Sequence, residues 1–285
     1  MEVLTIVLAS LLSIGSSGGI IIDRVVQGKI RSQVVSVEQQ AVRIDNRPNY
    51  RGAQGKIARI RIANRGVVIE PGVRIAALDL ETDPLAVKLN RLKLGSVEDL
   101  QESLMTPASG IAKLIFAEAD LNQALQSPEI QARLQKTLNS FVASRSGSSN
   151  VASYEISDIS LEMRPGNRLQ VGFKLDRARP RLNPKSDSTA GTSRSENPSR
   201  ELVISLELAF QVVEGQAIRL INPQGTVNGR PMSSRLLNGF AEGISDRLNL
   251  NALEADGILA RILQLEINED NLQLIGFFRL ETKMP

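Results

Sequence analysis

The chain has 285 residues, 42% of them hydrophobic, which is enough to bury a real core in one large or two modest domains. It contains no histidine, cysteine or tryptophan, which removes the commonest general base and zinc ligand together with thiolate, disulfide and iron-sulfur chemistry. A net charge of +3 and an aromatic set of seven Phe and two Tyr supply neither the field nor the stacking platforms of a nucleic-acid binder, so no nucleic-acid partner is expected.

Residues 3–22, VLTIVLASLLSIGSSGGIII, carry no charge and reach the length that crosses a hydrocarbon core. Glycines and serines at 15–19 interrupt the run, so segment 1–19 reads as an anchor, a cleaved signal core or a docking helix. Only Glu2 precedes it, where a signal peptide normally begins with Lys or Arg. Arg24, Lys29 and Arg31 follow it and would hold that flank in the cytoplasm if the segment spans. Membrane association through this segment is the expected localisation. Ile22, Val25, Val26, Ile30 and Val34 then recur at helical spacing, giving an amphipathic helix for the protein's own sheet or for a membrane surface. The strand signal that follows at once favours the sheet.

Val42 and Ile44 open an extended segment closed by the turn-like DNRPN at 45–49. Residues 55–66, GKIARIRIANRG, alternate with Ala58, Ile60 and Ile62 on one face. Strands at 73–81 and 85–94 continue the pattern, with turns at Pro71-Gly72 and Asp83-Pro84. The whole predicts an antiparallel meander, with bulges near Ala76-Ala77 and at 89–92. The period then shifts towards helix. The apolar run 111–116 leads to EADLNQAL and to Ser127-Pro128-Glu129, where serine caps and proline opens a helix that runs towards Phe141. Its expected buried stripe is Ile130, Leu134, Leu138 and Phe141.

A hairpin is expected from Tyr154 through the Pro165-Gly166 turn to Leu175. Residues 178–200 form a tethered basic loop rich in Pro, Ser, Asn and Gly, and its Arg179, Arg181 and Lys185 are candidate contacts for anionic head groups. The ordinary alternative is a solvated linker. From 202 to 212 the alternation is strict, with Leu202, Ile204, Leu206, Leu208, Phe210 and Val212 on one side. At roughly 3.3 Å per residue this strand spans about 36 Å, twice the usual length and comparable with a bilayer's hydrocarbon thickness. Such a wall suits a container or contact surface for lipid. A helix at 234–248 presents Leu236, Leu237, Phe240, Ile244 and Leu248, and strands at 258–267 and 272–280 are apolar on nearly both faces, as central or covered strands are. The two-part rhythm of strands and helix carries no residue-level repeat.

The stretch 55–87, GKIARIRIANRGVVIEPGVRIAALDLETDPLAV, resembles the LmeA-like phospholipid-binding family of bacterial envelope proteins. The matching features are the G-K-I-A-R-I strand, the Arg65-Gly66 pair, the L-E-T-D-P segment at 80–84 and LNQALQSPEI at 121–130, the last similar to the photosynthetic-bacterial branch. The resemblance covers roughly residues 20–285. It implies an α+β fold in which a strongly curved antiparallel sheet wraps around long helices, similar to tubular lipid-binding domains. One domain over 20–285 follows, with phospholipid and a membrane surface as partners, no cofactor and no catalysis. Arg65, Gly66, Asp83 and Pro84 read as turn builders.

A lipid carrier must offer a continuous apolar cavity, because burying a sixteen-carbon chain gains about 12 kcal/mol that a bilayer already provides. The candidate lining is Ile60, Ile62, Leu78, Leu80, Val171, Phe173, Leu206, Leu208 and Phe210, with Phe240 on the facing helix. The alternatives are a closed core in a structural adaptor of the envelope, and an enzyme using Glu81 and Asp83. Two carboxylates two residues apart on a strand share a face, but an ordinary solvated edge accounts for them.

Overall fold

The alternation around Ile60 and Ile62 builds an interior strand of the first sheet, beside its edge. The computed structural model describes residues 36–46, 48, 50–70, 72–91, 97–145, 154–177 and 201–283. The apolar start, the helix expected at 22–34 and the basic loop, with Arg179, Arg181 and Lys185, lie outside the described residues. Six strands pair antiparallel: β1 (Ser36–Asp45), β3 (Arg59–Glu70), β4 (Val73–Thr82), β6 (Ala108–Ala117), β13 (Asn271–Leu280) and β12 (Ile258–Ile267), in that spatial order. The two-residue strands β2 (Lys56–Ile57) and β5 (Leu85–Ala86) pair separately. Together with helix α2 (Val97–Ser103) and a 3₁₀ segment at Leu250–Asp256, they supply Ile57, Leu85, Leu100, Leu104 and Leu253 to the core cluster that holds Ile60, Leu80, Phe278 and Leu280. A one-turn helix, α1 (Tyr50–Ala53), precedes β2.

Five further strands form the second antiparallel sheet: β11 (Arg230–Pro231), β10 (Ala217–Val227), β9 (Leu202–Val213), β8 (Arg168–Arg177) and β7 (Tyr154–Arg164), in spatial order. Helices α3 (Glu118–Leu125) and α4 (Pro128–Arg145) connect the sheets, and α5 (Ser234–Ser245) follows β11. The chain is thus a mixed helix and sheet fold with two open antiparallel sheets, and neither sheet closes on itself.

Three expectations change. Of the strand expected at 85–94, only Leu85–Ala86 pairs as one: Val87 makes an isolated bridge with Leu104, and a 3₁₀ turn occupies Leu89–Arg91. Val87 also donates its N–H to the Gly55 carbonyl (2.8 Å), and a side chain on Gly55, at φ +73°, would overlap the Val87 carbonyl oxygen. The apolar run 111–116 is a strand, β6, flanked by β4 and β13. Its apolar residues lie on both faces, with Ile111 exposed on the outer one, and a continuous run carries no period to separate strand from helix. Arg65-Gly66 is not a turn but the middle of β3, and the reversal comes at Gly72, φ +84°.

Gly66 has another use. The buried side of the alternation changes phase at Glu38-Gln39, at Gly66-Val67 and at Ala77-Leu78, on three adjacent strands, while their pairing register stays constant through these points. The result is a crease across the sheet rather than a slipped bulge. Gly66 meets it with φ +58°, directly over the Glu38 carboxyl, where a Cβ would collide.

The hairpin and the last two strands lie where the alternation places them. β13 is central; β12 is an edge with Leu263 exposed, and only part of its outer hydrogen-bonding side is covered. Ile262 N donates to Gly215 O (2.6 Å) and Ile267 N to Asn167 Oδ1 (2.8 Å), so the turns after β7 and β9 join the second sheet to the first. β10 runs past Leu220 to Val227, with Pro223 inside the register shift between Ile221 and Gln224, where its missing N–H costs no ladder bond. The helix expected at 234–248 ends its α-helical part at Ser245 and continues as a 3₁₀ turn to Leu248.

Candidate functional site

The register decides which of the ten candidate lining residues meet. Ile62 lies directly across from Leu80 on β3 and β4, and these two with Ile60 and Leu78 are no more than 7% exposed within one core cluster. The other six belong to the second sheet and its cover. Val171 pairs with Leu206, and Phe173 with Ile204. Leu206, Phe173 and Phe240 pack with Leu237 and with Leu138 of α4 in one cluster. Leu208, Phe210 and Phe240 pack with Leu220 and Ala241 in another. Phe240 therefore joins these two clusters, and the first four residues stand in a different sheet.

The second sheet's apolar face is unevenly covered. Ser233 caps α5 by accepting from Leu236 N (3.4 Å). The helix drives Leu237 and Ala241 into full burial while Phe240 and Ile244 stay half-buried and Leu236 turns outward. α4 contributes Leu138, half-buried like Ile130 and Leu134. Beside them, the cross-strand pairs Leu161 with Val171 and Met163 with Leu169 extend the floor. Leu161, Leu169 and Val171 are half-buried and belong to none of the three packed clusters.

The free edge of β7 is held by side chains. Glu118 Oε2 accepts from Met163 N (2.6 Å) and Asn122 exchanges hydrogen bonds with Leu161 N and O (2.8 and 2.7 Å). Gln126 donates to Ile159 O (2.7 Å), and Gln135 pairs with Ile156 N (2.9 Å) and Tyr154 O (2.5 Å). Residues 118, 122 and 126 recur every fourth position, so one face of α3 presents carboxylate and amide groups to the strand as a substitute ladder. This spacing stands in the sequence, but nothing there identifies its partner.

The charged groups are mostly engaged. Lys174 touches Asp158 (2.9 Å) and Glu201 (3.0 Å), whose carboxylates, Asp158 first, hold its ammonium above the usual lysine range. Arg74 binds Asp120 (2.6 Å) and Glu38 (3.0 Å), and the Asp120 hydrogen bond is the chief cause that raises its guanidinium. A depression of ≈ 350 Å³ on the first sheet includes Arg43, Arg61 and Lys113, but Arg43 is paired with Asp45 and Arg61 with Glu81. Glu81 also meets Arg59 (3.1 Å), and Asp83 accepts from Ser109 Oγ (2.6 Å).

Two polar side chains with unpaired atoms stand on the first sheet's apolar face. Asn64 is 1% exposed and lies across from Gln40 on the edge strand β1. Asn64 Oδ1 and both terminal atoms of Gln40 are buried without a hydrogen-bond partner. The alternation Ile60, Ile62, Asn64 and the approach Gln40, Val42, Ile44 carry this signal, which the sequence analysis passed over.

Among the described residues no helix is long and apolar enough to cross a membrane. No curated protein and no solved structure matches the chain. The model of the LmeA-like phospholipid-binding family matches residues 17–277, and the chain belongs to that family.

Proposed function

We propose that this is a non-catalytic phospholipid-binding or lipid-transfer protein at a membrane of the bacterial envelope, holding acyl chains in an apolar cavity that opens between the second sheet and α5. In this proposal the sheet curves around the helix when lipid enters, as in tubular lipid-binding domains, and residues 1–19 bring the body to the membrane. The observation that carries it is the half-buried margin of α5: Val171, Phe173, Phe210 and Phe240 present apolar surface beside a cover made of one amphipathic helix. Moving that helix trades contacts with Leu237 and Ala241 for contacts with a chain, each buried methylene being worth about 0.8 kcal/mol. Arg179, Arg181 and Lys185 would add about 1 kcal/mol per cation near an anionic surface.

A structural adaptor with a closed core is the second proposal, favoured by the near-complete burial of Ile60, Ile62 and Leu80. Mass spectrometry of the purified full chain tests the first: co-purified phospholipid is expected, and a lipid-free preparation with no liposome affinity overturns it. Deleting residues 178–200 separates the two, because an adaptor using that loop loses its partner while a cavity binder keeps its lipid.

A further inference from the structure

Buried polar groups are almost always paired, and each one left without a partner costs free energy of the order of a lost hydrogen bond. Gln40 and Asn64 place one unpaired amide nitrogen and two unpaired carbonyl oxygens side by side. The register then sets leucines in line with them. Asn64 lies across from Leu78, Leu78 from Leu114, Leu114 from Leu274, and Leu274 from Leu265. The row ends polar at the β1 edge and is apolar across four strands, with Leu114, Leu274 and Leu265 half-buried. On the neighbouring row, Ile62, Leu80, Ala112 and Gly276 are in line; small residues at Ala112 and Gly276 lower the floor there.

Resting on the proposal that the protein binds phospholipid, we infer a second acyl site apart from the cavity under α5: Gln40 and Asn64 anchor the ester region of an acyl lipid whose tail crosses the first sheet over Leu78, Leu114, Leu274 and Leu265. Four strand steps of about 4.8 Å make roughly 19 Å, against about 15 Å for one leaflet of a hydrocarbon core. The length of the row is that of a membrane acyl chain. The Gln40 amide donates to an ester carbonyl, and a glycerol or head-group hydroxyl donates to Asn64 Oδ1. The head group leaves past β1, the edge strand.

The test compares two probes that differ only in the carbonyl: vesicles of dipalmitoyl phosphatidylglycerol and of its dihexadecyl ether analogue, with the full chain. The ester lipid is expected to bind about threefold to tenfold more tightly, the worth of one neutral hydrogen bond. The doubly substituted Gln40→Met, Asn64→Leu protein is expected to lose that preference while its lipid-free form melts at a higher temperature. Equal binding of both lipids by the unsubstituted protein, or a preference that survives the substitutions, means the amides hold water only and overturns the inference while leaving lipid binding intact. Binding of neither lipid overturns both proposals. If the double variant does not fold, the comparison of the two lipids on the unsubstituted chain decides.

Discussion

The two sheets bury their apolar faces by different means. The first is sealed at one end by several short elements, and Ile60, Leu100, Leu104 and Leu280 are fully buried there. The second relies on one amphipathic helix and the Leu138 side chain of α4, and its clusters are small and rimmed with half-buried residues. Several independent cover elements must all leave before the first core opens, whereas a single helix can lift from the second. Stability should therefore concentrate in the first sheet and local opening in the second. The sharpest way to break this contrast is truncation. Ile60→Ala is expected to cost about 2–5 kcal/mol in denaturant unfolding, and Phe240→Ala less, because Phe240 is already half out of the core. Lipid retention should move the other way, with Phe240→Ala the more damaging. A larger stability loss at Phe240 than at Ile60 would reverse the comparison.

The next effect tests how α3 is held between the sheets. Glu118→Ala leaves Met163 N without its acceptor, and Asn122→Ala leaves Leu161 N without its acceptor and Leu161 O without its donor. Each is expected to cost about 1–3 kcal/mol. Amide exchange should rise at Leu161 and Met163 and stay slow at Ile60, whose N–H is bonded to the buried Thr82 hydroxyl (3.0 Å). Faster exchange at Ile60 in these variants would mean that the two sheets open as one unit. A smaller change follows at the joint: Asn167→Ala removes the bond to Ile267 N and should cost about 1 kcal/mol, read as faster exchange along the outer edge of β12.

Much of this arrangement was legible in the sequence where one face is wet and the other dry. The strict alternation at 202–212 became β9, and the turn at Pro165-Gly166 joined the two strands predicted around it. Where a strand carries apolar residues on both faces, alternation carries no signal, which is why β6 read as the beginning of a helical region. Where a hydrophobic run plugs a core instead of extending a sheet, as at Leu85 and Val87, the strand pattern misleads. Of the candidate site, the individual apolar faces were legible but their grouping was not, because it depends on the pairing of strands far apart in sequence. Ile60 and Leu206 have the same local pattern and stand in different sheets. Asn64 was the informative exception: a polar residue at an inward position can be read only by counting through it.

The smallest effect concerns the charged border of the first sheet. Asp45, on the edge strand, accepts from Arg43 Nε at 2.8 Å and lies 3.6 Å from Arg61. The Arg43 hydrogen bond is the main cause that holds its carboxyl below the ordinary aspartate range. A carboxylate with a depressed folded value contributes stability above its unfolded value and loses it as pH falls through the folded one. The contribution therefore disappears only in acid, and solvent and salt screen it at every pH. Carbon-detected titration should place the Asp45 midpoint below the ordinary value at low ionic strength. Arg43→Gln should raise it more than Arg61→Gln does, and added salt should bring all three proteins together. An Asp45 midpoint that ignores Arg43 would mean the ion pairs along β1 are crossings of mobile side chains. The edge past which the lipid head group is proposed to leave would then have no fixed electrostatic rim.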